Sequence, residues 1–389
     1  ANSVWFPTID SPNERLTQEL KITVQEKYKT LSNGALIFSN YNGDGTRTDY
    51  WRQELPHAPY LVMMAIGDYS VVTDSWENAN NEDIAVDYYL EAEYAPYAKD
   101  IFGNTPEMLT FYSEVLGFPY PWDKYSQVIV RDFVSGAMEN TSAVIHGDFL
   151  NATDRELLDG DNEAVIAHEL FHHWFGDLVT CESWSNLPLN ESFATYGEYL
   201  WEEHKYGRYA ADLHGMNSMA RYLAESQTKQ ENLIRFYYED KEDMFDGHSY
   251  NKGGRVLHML RYFIGDAAFF SGLKLYLNDN QFESVEIHQL RLAMEEVSGN
   301  DLNWFFNQWF LGSGHPELTI NYDVNDSLNT LTVLIEQTQE GLFRLPLEVD
   351  VYTDSGVKRQ RIDIRQRHQE FILPYEGVFS FANLDAEKV

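Results

Sequence analysis

The apolar residues of this 389-residue chain repeat with period 2 near both ends and with a helical period in between. That pattern calls for two β regions flanking a helical one, because a strand buries every second side chain and a helix every third or fourth. Near the start, Leu20, Ile22 and Val24 alternate with Lys21, Thr23 and Gln25. Residues 35–38 and 60–66 read as further strands, punctuated by Asn42-Gly43-Asp44-Gly45 and Gly67-Asp68. A helix is expected from Thr105 as N-cap, with Pro106 at its first position, Glu107 near its positive end and Gly117 at its close. Residues 125–134 read as a strand. Helical runs follow at 161–174, 188–204, 209–224, 254–264, 267–277, 287–297 and 302–310. After His315-Pro316, alternation returns in Leu318/Ile320/Tyr322, Leu331/Val333/Ile335, Leu347/Val349/Val351 and Ile362/Ile364, the pattern of a small β-sandwich. The expected class is α+β, divided at an Asn- and acid-rich loop over 77–83 into residues 1–80, 81–314 and 315–389.

Charge narrows the possible partners. The chain has 28 basic against 62 acidic residues, a formal net charge of −34, and nucleic acid is excluded as a partner because phosphate binding needs a basic face. Most of that charge reads as a solvated surface, with a few acids left to attract cationic peptides. No apolar run reaches the roughly 18 residues of a membrane span. No signal peptide is recognisable, and the start at Ala1-Asn2-Ser3 rather than Met leads us to expect residues upstream. The single cysteine, Cys181, allows neither an intrachain disulfide nor a cysteine zinc site, and after Leu178-Val179 it reads as a buried filler rather than a nucleophile. Compartment stays open between cytoplasmic and periplasmic or secreted, and so does oligomeric state.

Chemistry concentrates in His168-Glu169-Leu170-Phe171-His172. Histidines four residues apart share one helix face, so both imidazoles can converge on one ion. Glu169 lies about 100° further round, beside that face, where it suits the general base toward a metal-activated water. Val165, Ile166, Leu170, Phe171 and Trp174 give the helix an apolar, packed side. The third ligand is sought at Glu191, eighteen residues after His172. Gly176 and Asp177 suit the end of the first helix and Pro188 the start of a second. By itself Glu191 is equally well read as a favourable charge at a helix N-terminus, and Glu198 and Glu202 on the same helix compete with it. Gly136-Ala137-Met138-Glu139-Asn140 offers a glycine that allows close backbone approach and a glutamate able to hold an ammonium. Tyr250-Asn251-Lys252-Gly253 offers a phenol donor that is otherwise one more packed tyrosine among 25.

Together the HExxH motif, the eighteen-residue spacing to Leu189-Asn190-Glu191, the complete Gly136–Asn140 segment and Tyr250-x-Lys-Gly resemble the gluzincin aminopeptidases of the aminopeptidase N and leukotriene hydrolase type. The resemblance implies a thermolysin-like catalytic domain over residues 81–314, preceded by the C-terminal part of a β domain and followed by a small β domain. It implies one Zn²⁺ per chain on His168, His172 and Glu191, with Glu169 as base and Tyr250 steadying the oxyanion. The segment Gly136, Ala137, Met138, Glu139 and Asn140 is then the substrate strand, with Glu139 binding the free amine of a peptide. His173 points to another helix face and reads as structural. Ser192 stands where glycine is common in that family, and Asn186 where aspartate is common. A second amine-binding acid expected upstream of Trp5-Phe6 and a large C-terminal helical domain are not in this sequence, which therefore reads as a piece of a longer protein. Rival readings are a zinc endopeptidase, against which Glu139 argues, an epoxide hydrolase side activity, and an inactive or weakly active peptide-binding relative.

Overall fold

The computed structural model describes residues 2–388. Its first part is a three-stranded antiparallel sheet in the order Leu16–Gln25, Thr46–His57, Ala35–Tyr41, with the pair Lys29–Ser32 and Met64–Gly67 beside it. Strand Leu16–Gln25 alternates as expected, with Ile22 buried. Residues 60–66 are not one strand. Pro59–Leu61 is a 3-10 turn and the strand begins at Met64. The proline fixes φ and supplies no N–H, so the chain turns there before it can pair. Ile22, Leu31, Trp51 and Met63 form a small core that continues into Tyr89, Val128 and Ala143 of the next sheet, so the N-terminal sheets rest on its outer face.

That next sheet has five strands in the order Ser70–Glu77, Asp83–Leu90, Lys124–Val130, Ala143–Gly147, Ala137–Met138. The strands Asp83–Leu90, Lys124–Val130 and Ala143–Gly147 run parallel, and Ala137–Met138 closes one edge antiparallel. The loop on which we divided the first two regions is the turn of a hairpin inside this sheet, since Glu77 pairs with Asp83. Its Asn and acidic residues serve a turn, with Asn78 Oδ1 accepting from the N–H groups of Asn80 and Glu82. The strand expected over 125–134 ends at Val130, because Asp132 adopts a left-handed conformation at φ 54°.

On the inner face lie the helices, joined to the sheet by one large apolar core. The helix Thr105–Leu116 starts one residue earlier than expected, with Asn104 as N-cap, and the Thr105 hydroxyl instead accepts from Gln127 Nε2 at 3.0 Å. The run expected over 161–174 is a shorter helix, Glu163–Phe171. Pro188–Tyr206, Arg208–Ser226, Gly253–Ile264, Asp266–Asn280, Ile287–Ser298 and Asn303–Trp309 form close to their expected positions, and a short helix, Ala98–Phe102, precedes them all. Past residue 317 two three-stranded sheets form, in the orders Leu318–Asn325, Thr330–Gln337, His368–Pro374 and Gly356–Ile364, Leu345–Thr353, Phe379–Leu384. Buried Leu331, Val333, Val349, Val351, Ile362 and Ile364 fill the space between them. The architecture is thus α+β, with β-sheet regions on both sides of a helical core.

Candidate metal centre and cleft

Two helices carry the centre. Glu163–Phe171 is anchored at its first residue, where Glu163 Oε1 accepts from Asn104 Nδ2 at 2.6 Å and from Trp201 Nε1 at 2.9 Å. Beside it runs Pro188–Tyr206, and Gly197 sets their separation. A Cβ there would come within 2.6 Å of the Phe171 ring, so only glycine lets the helices approach this closely. His168 lies in the last turn of the first helix, and His172 caps it with helical φ and ψ. The turn Phe175–Gly176–Asp177 then redirects the chain, and Glu191 enters in the first turn of the second helix, behind Pro188.

His168 Nε2 and His172 Nε2 both lie 3.3 Å from Glu191 Oε2. The other ring nitrogens are committed elsewhere: His168 Nδ1 donates to Glu198 Oε1 at 2.7 Å, and His172 Nδ1 donates to the Phe175 carbonyl at 2.9 Å. With the protons held at Nδ1, both Nε2 atoms turn lone pairs toward a carboxylate oxygen, and such a set is complete only with a cation at its centre. The ligand atoms of all three residues lie within 4.8 Å of one another. Two imidazoles and one carboxylate are the donor set of a catalytic zinc site, and the residues fit that ion. The electrostatics agree. Burial works against a charged His172, yet Glu139 and Glu191 outweigh it and raise the imidazole to about 9. Burial likewise opposes ionisation of Glu191, and the two histidines outweigh it and hold the carboxyl well below its ordinary value. Both shifts express buried carboxylates that favour positive charge at this centre.

Around the centre is a cleft of about 380 Å³. It is lined by Glu139, Glu169 and Tyr250, together with Gly136, Ala137 and Met138. Glu169 is buried, its Oε2 meets no hydrogen-bond partner among the described residues, and burial raises its carboxyl to about 8. Burial also raises Glu139. Ala137–Met138 is the edge strand of the five-stranded sheet. Behind it, Asn140 Nδ2 donates to the Leu61 carbonyl at 3.1 Å, and the Ser142 N–H donates to His173 Nε2 at 2.9 Å. Asn140 is thus a buttress of the strand and not part of the cleft wall. His173 is structural: its Nδ1 donates to the Glu169 carbonyl, and burial lowers the imidazole to about 3, so it stays neutral.

Tyr250 sits in a π-helical turn, His248–Lys252, that opens directly into the helix Gly253–Ile264. Its ring lies nearly parallel to His168, with centroids 5.9 Å apart. Ser192, the residue that departs from the family's glycine, donates its hydroxyl to the Ser249 carbonyl at 2.6 Å and fastens this turn to the Glu191 helix. Asn186 Oδ1 accepts from the Ile287 N–H at 3.1 Å and ties down the start of another helix. The structure places Glu169, Tyr250, Gly136 to Glu139, His168, His172 and Glu191, all singled out in the sequence, along one cleft. Sequence reading sets Glu198 aside, although Glu198 follows Glu191 by two helical turns on the same face. His214, which donates from Nε2 to Glu198 Oε2 at 3.1 Å, carries no motif. Tyr60, Trp184 and Phe245 also line the cleft, and nothing in their local sequence separates them from packing aromatics.

Residues 101–309 match the model of the peptidase family M1 domain. Among curated proteins, the chain is 32% identical over 337 residues to aminopeptidase N of Streptomyces lividans, covering 82% of this chain and 38% of that one. It is 27% identical over 358 residues to probable aminopeptidase 1 of Sulfurisphaera tokodaii, covering 89% of this chain and 44% of that one. The chain therefore spans less than half the length of these relatives. Among solved structures, Legionella pneumophila aminopeptidase A in complex with aspartic acid superposes with a TM-score of 0.83 at 22% identity, over 96% of this chain and 44% of that one.

Proposed function

The chain belongs to the M1 family of peptidases, and on that premise we propose that it acts as a zinc-dependent aminopeptidase on peptides with a free N-terminal amine. His168, His172 and Glu191 are the ligands of one Zn²⁺ per chain in this reading. When bound, that ion supplies Lewis-acid polarisation of the scissile carbonyl and lowers the pKa of the attacking water toward ~7. Glu169 accepts the proton of the attacking water and returns it to the leaving amine, a task open to a carboxyl that faces the cleft and whose ionised form a neighbouring cation would favour against its burial. Tyr250 donates its phenolic hydrogen to the oxygen on which negative charge develops. The edge strand Ala137–Met138 is paired on one side only, so an extended substrate backbone can pair with the other. Glu139, at the end of that strand, accepts from the substrate ammonium and so limits hydrolysis to the first peptide bond. The three-part division of the chain belongs to the same proposal, with its first boundary moved from residue 80 to the turn near residue 68, ahead of the five-stranded sheet.

One observation carries the reading: two Nε2 atoms each lie 3.3 Å from one carboxylate oxygen, beside a buried glutamate whose second oxygen has no partner among the described residues. The test is metal analysis together with turnover of leucine p-nitroanilide and its N-acetyl derivative. One zinc per chain is expected, with hydrolysis of the free-amine substrate only. Glu169→Gln should keep the metal and lose ~10²–10⁴-fold in kcat, the range for a general base. Absence of bound zinc at neutral pH with zinc supplied, or equal turnover of the acetylated substrate, refutes the proposal.

A further inference from the structure

A second cavity, of about 390 Å³, lies between the helical body and the C-terminal sheets. Small-molecule sites occupy ~300–1,000 Å³, so it is large enough for a ligand. Met259 and Phe263 line it from the helical side, and Leu318, Ile320 and Leu347 from the strands. These walls can cover an apolar tail.

Two buried polar atoms of the lining have no hydrogen-bond partner among the described residues, Lys252 Nζ and Trp309 Nε1. Both are donors, and buried donors without partners are rare in folded proteins. Lys252 is only 3% exposed. Among the described residues its ammonium has the Tyr222 ring beside it, 5.7 Å from the centroid. Nearby Asp246 does not answer it, because that carboxylate already accepts from Lys229 Nζ at 2.5 Å and from Arg235 Nη2 at 2.8 Å. Of the other charged groups in the lining, Arg255 has Asp385 close enough to favour its charge and donates to the Lys388 carbonyl. His315, which also lines the cavity, is held low by burial and bonds through Nδ1 to the Tyr222 hydroxyl at 3.0 Å. Among the described residues, Lys252 is therefore the cation of this cavity without a counter-charge.

We propose that this cavity binds a monocarboxylate with an unbranched apolar tail of fatty-acid type, its carboxylate paired with Lys252 and its tail between the helices and the C-terminal sheets. The flexible four-carbon stem of the lysine lets the ammonium swing toward an entering anion. A peptide C-terminus would bring the same carboxylate, but its amide groups would be buried against side chains that offer them few partners. The site also touches the chemistry. Lys252 and Tyr250 belong to one π-helical turn, and they line different cavities. A ligand on Lys252 bears on the turn that orients Tyr250.

The test is isothermal titration of the zinc-loaded chain with decanoate, 1-decanol and N-acetyl-trileucine. Decanoate should bind once per chain and at least tenfold more tightly than either comparison ligand. Lys252→Met should weaken decanoate at least tenfold and leave decanol within twofold. If that variant fails to fold, Ile320→Trp fills the cavity from the strand side and should abolish decanoate binding. Equal affinities for decanoate and decanol, no saturable decanoate binding, tighter binding of N-acetyl-trileucine, or decanoate affinity untouched by whichever variant folds would each overturn the proposal.

Discussion

Glu198 shows how much of a metal centre depends on a residue that touches no metal. Its carboxylate fixes the tautomer and the ring plane of His168 from one side and holds His214 on the other. Glu198→Ala should therefore lower zinc affinity ~10–100-fold in a chelator competition, the usual effect of losing such a partner. Sequence could not single it out, because Glu191, Glu198 and Glu202 all lie on one amphipathic helix and only the eighteen-residue spacing favoured the first. Lys124 is a second residue whose setting was invisible. It is buried, and its ammonium donates to the carbonyls of Ser32 and Ser142 at 3.0 and 2.9 Å, joining the N-terminal sheets to the segment that follows the edge strand Ala137–Met138. Burial lowers its pKa from 10.5 to about 7. Between those values the unfolded chain holds a proton that the folded chain has released, so stability rises with pH from about 7 to 10.5. Denaturant unfolding at pH 7 and pH 10 should show this rise in the wild type and a smaller one in Lys124→Met. Equal slopes would mean that the ammonium stays charged in its hydrogen-bonded site.

The element that most needed the structure is the π-helical turn His248–Lys252. A sequence pattern of period 3.6 locates the helix after it, but not the wider turn that swings Tyr250 over His168. What makes the turn possible is contact with the Glu191 helix. A Cβ on Gly253 would lie 1.7 Å from Ser192 Oγ, so the turn and the helix can touch only at a glycine. Gly253→Ala must push them apart and break the hydrogen bond from Ser192 to the Ser249 carbonyl. Overpacking of this kind costs ~1–3 kcal/mol. Because the displaced element carries Tyr250, kcat should fall at least ~10-fold while zinc content stays at one per chain, as for partial loss of an oxyanion donor. Ser192→Ala removes only the hydrogen bond, ~1 kcal/mol, and should cost less activity than the glycine change. Zinc loss in Gly253→Ala would show that the contact holds the metal helix rather than the tyrosine. The other elements were more legible, because their signals are local: alternation in Leu16–Gln25, and Pro188 in the first turn of the Glu191 helix. The hairpin at 78–82 reads as a boundary in the sequence for the converse reason. Its turn residues are also those of a linker, and only the pairing of Glu77 with Asp83 distinguishes the two.

Across the whole chain, the imbalance of 62 acidic against 28 basic residues sets two electrostatic effects against each other. Like charges spread over the surface repel one another and disfavour the compact state. Ion pairs such as Arg131–Glu91 and Arg365–Asp363 favour it, yet their arginine side chains are 63% and 59% exposed, and pairs of that kind contribute ~0–1 kcal/mol each. Salt screens both, with a Debye length that falls from ~30 Å at 0.01 M to ~8 Å at 0.15 M. Repulsion acts over the longer distances and is screened first, whereas a pair in contact retains much of its attraction. The net charge of −34 makes repulsion the larger sum. Raising NaCl from about 10 to 150 mM at pH 7.5 should therefore raise Tm, by a few degrees if ~1 kcal/mol of repulsion is relieved. The same addition near pH 4.5, the sequence isoelectric point, should move Tm much less, because little net charge remains to screen. Sodium sulfate at equal ionic strength separates this effect from preferential exclusion, which strengthens apolar burial at any pH. A Tm that falls with NaCl at pH 7.5 would mean that the surface pairs outweigh the repulsion and that the acidic excess is arranged to be locally neutralised.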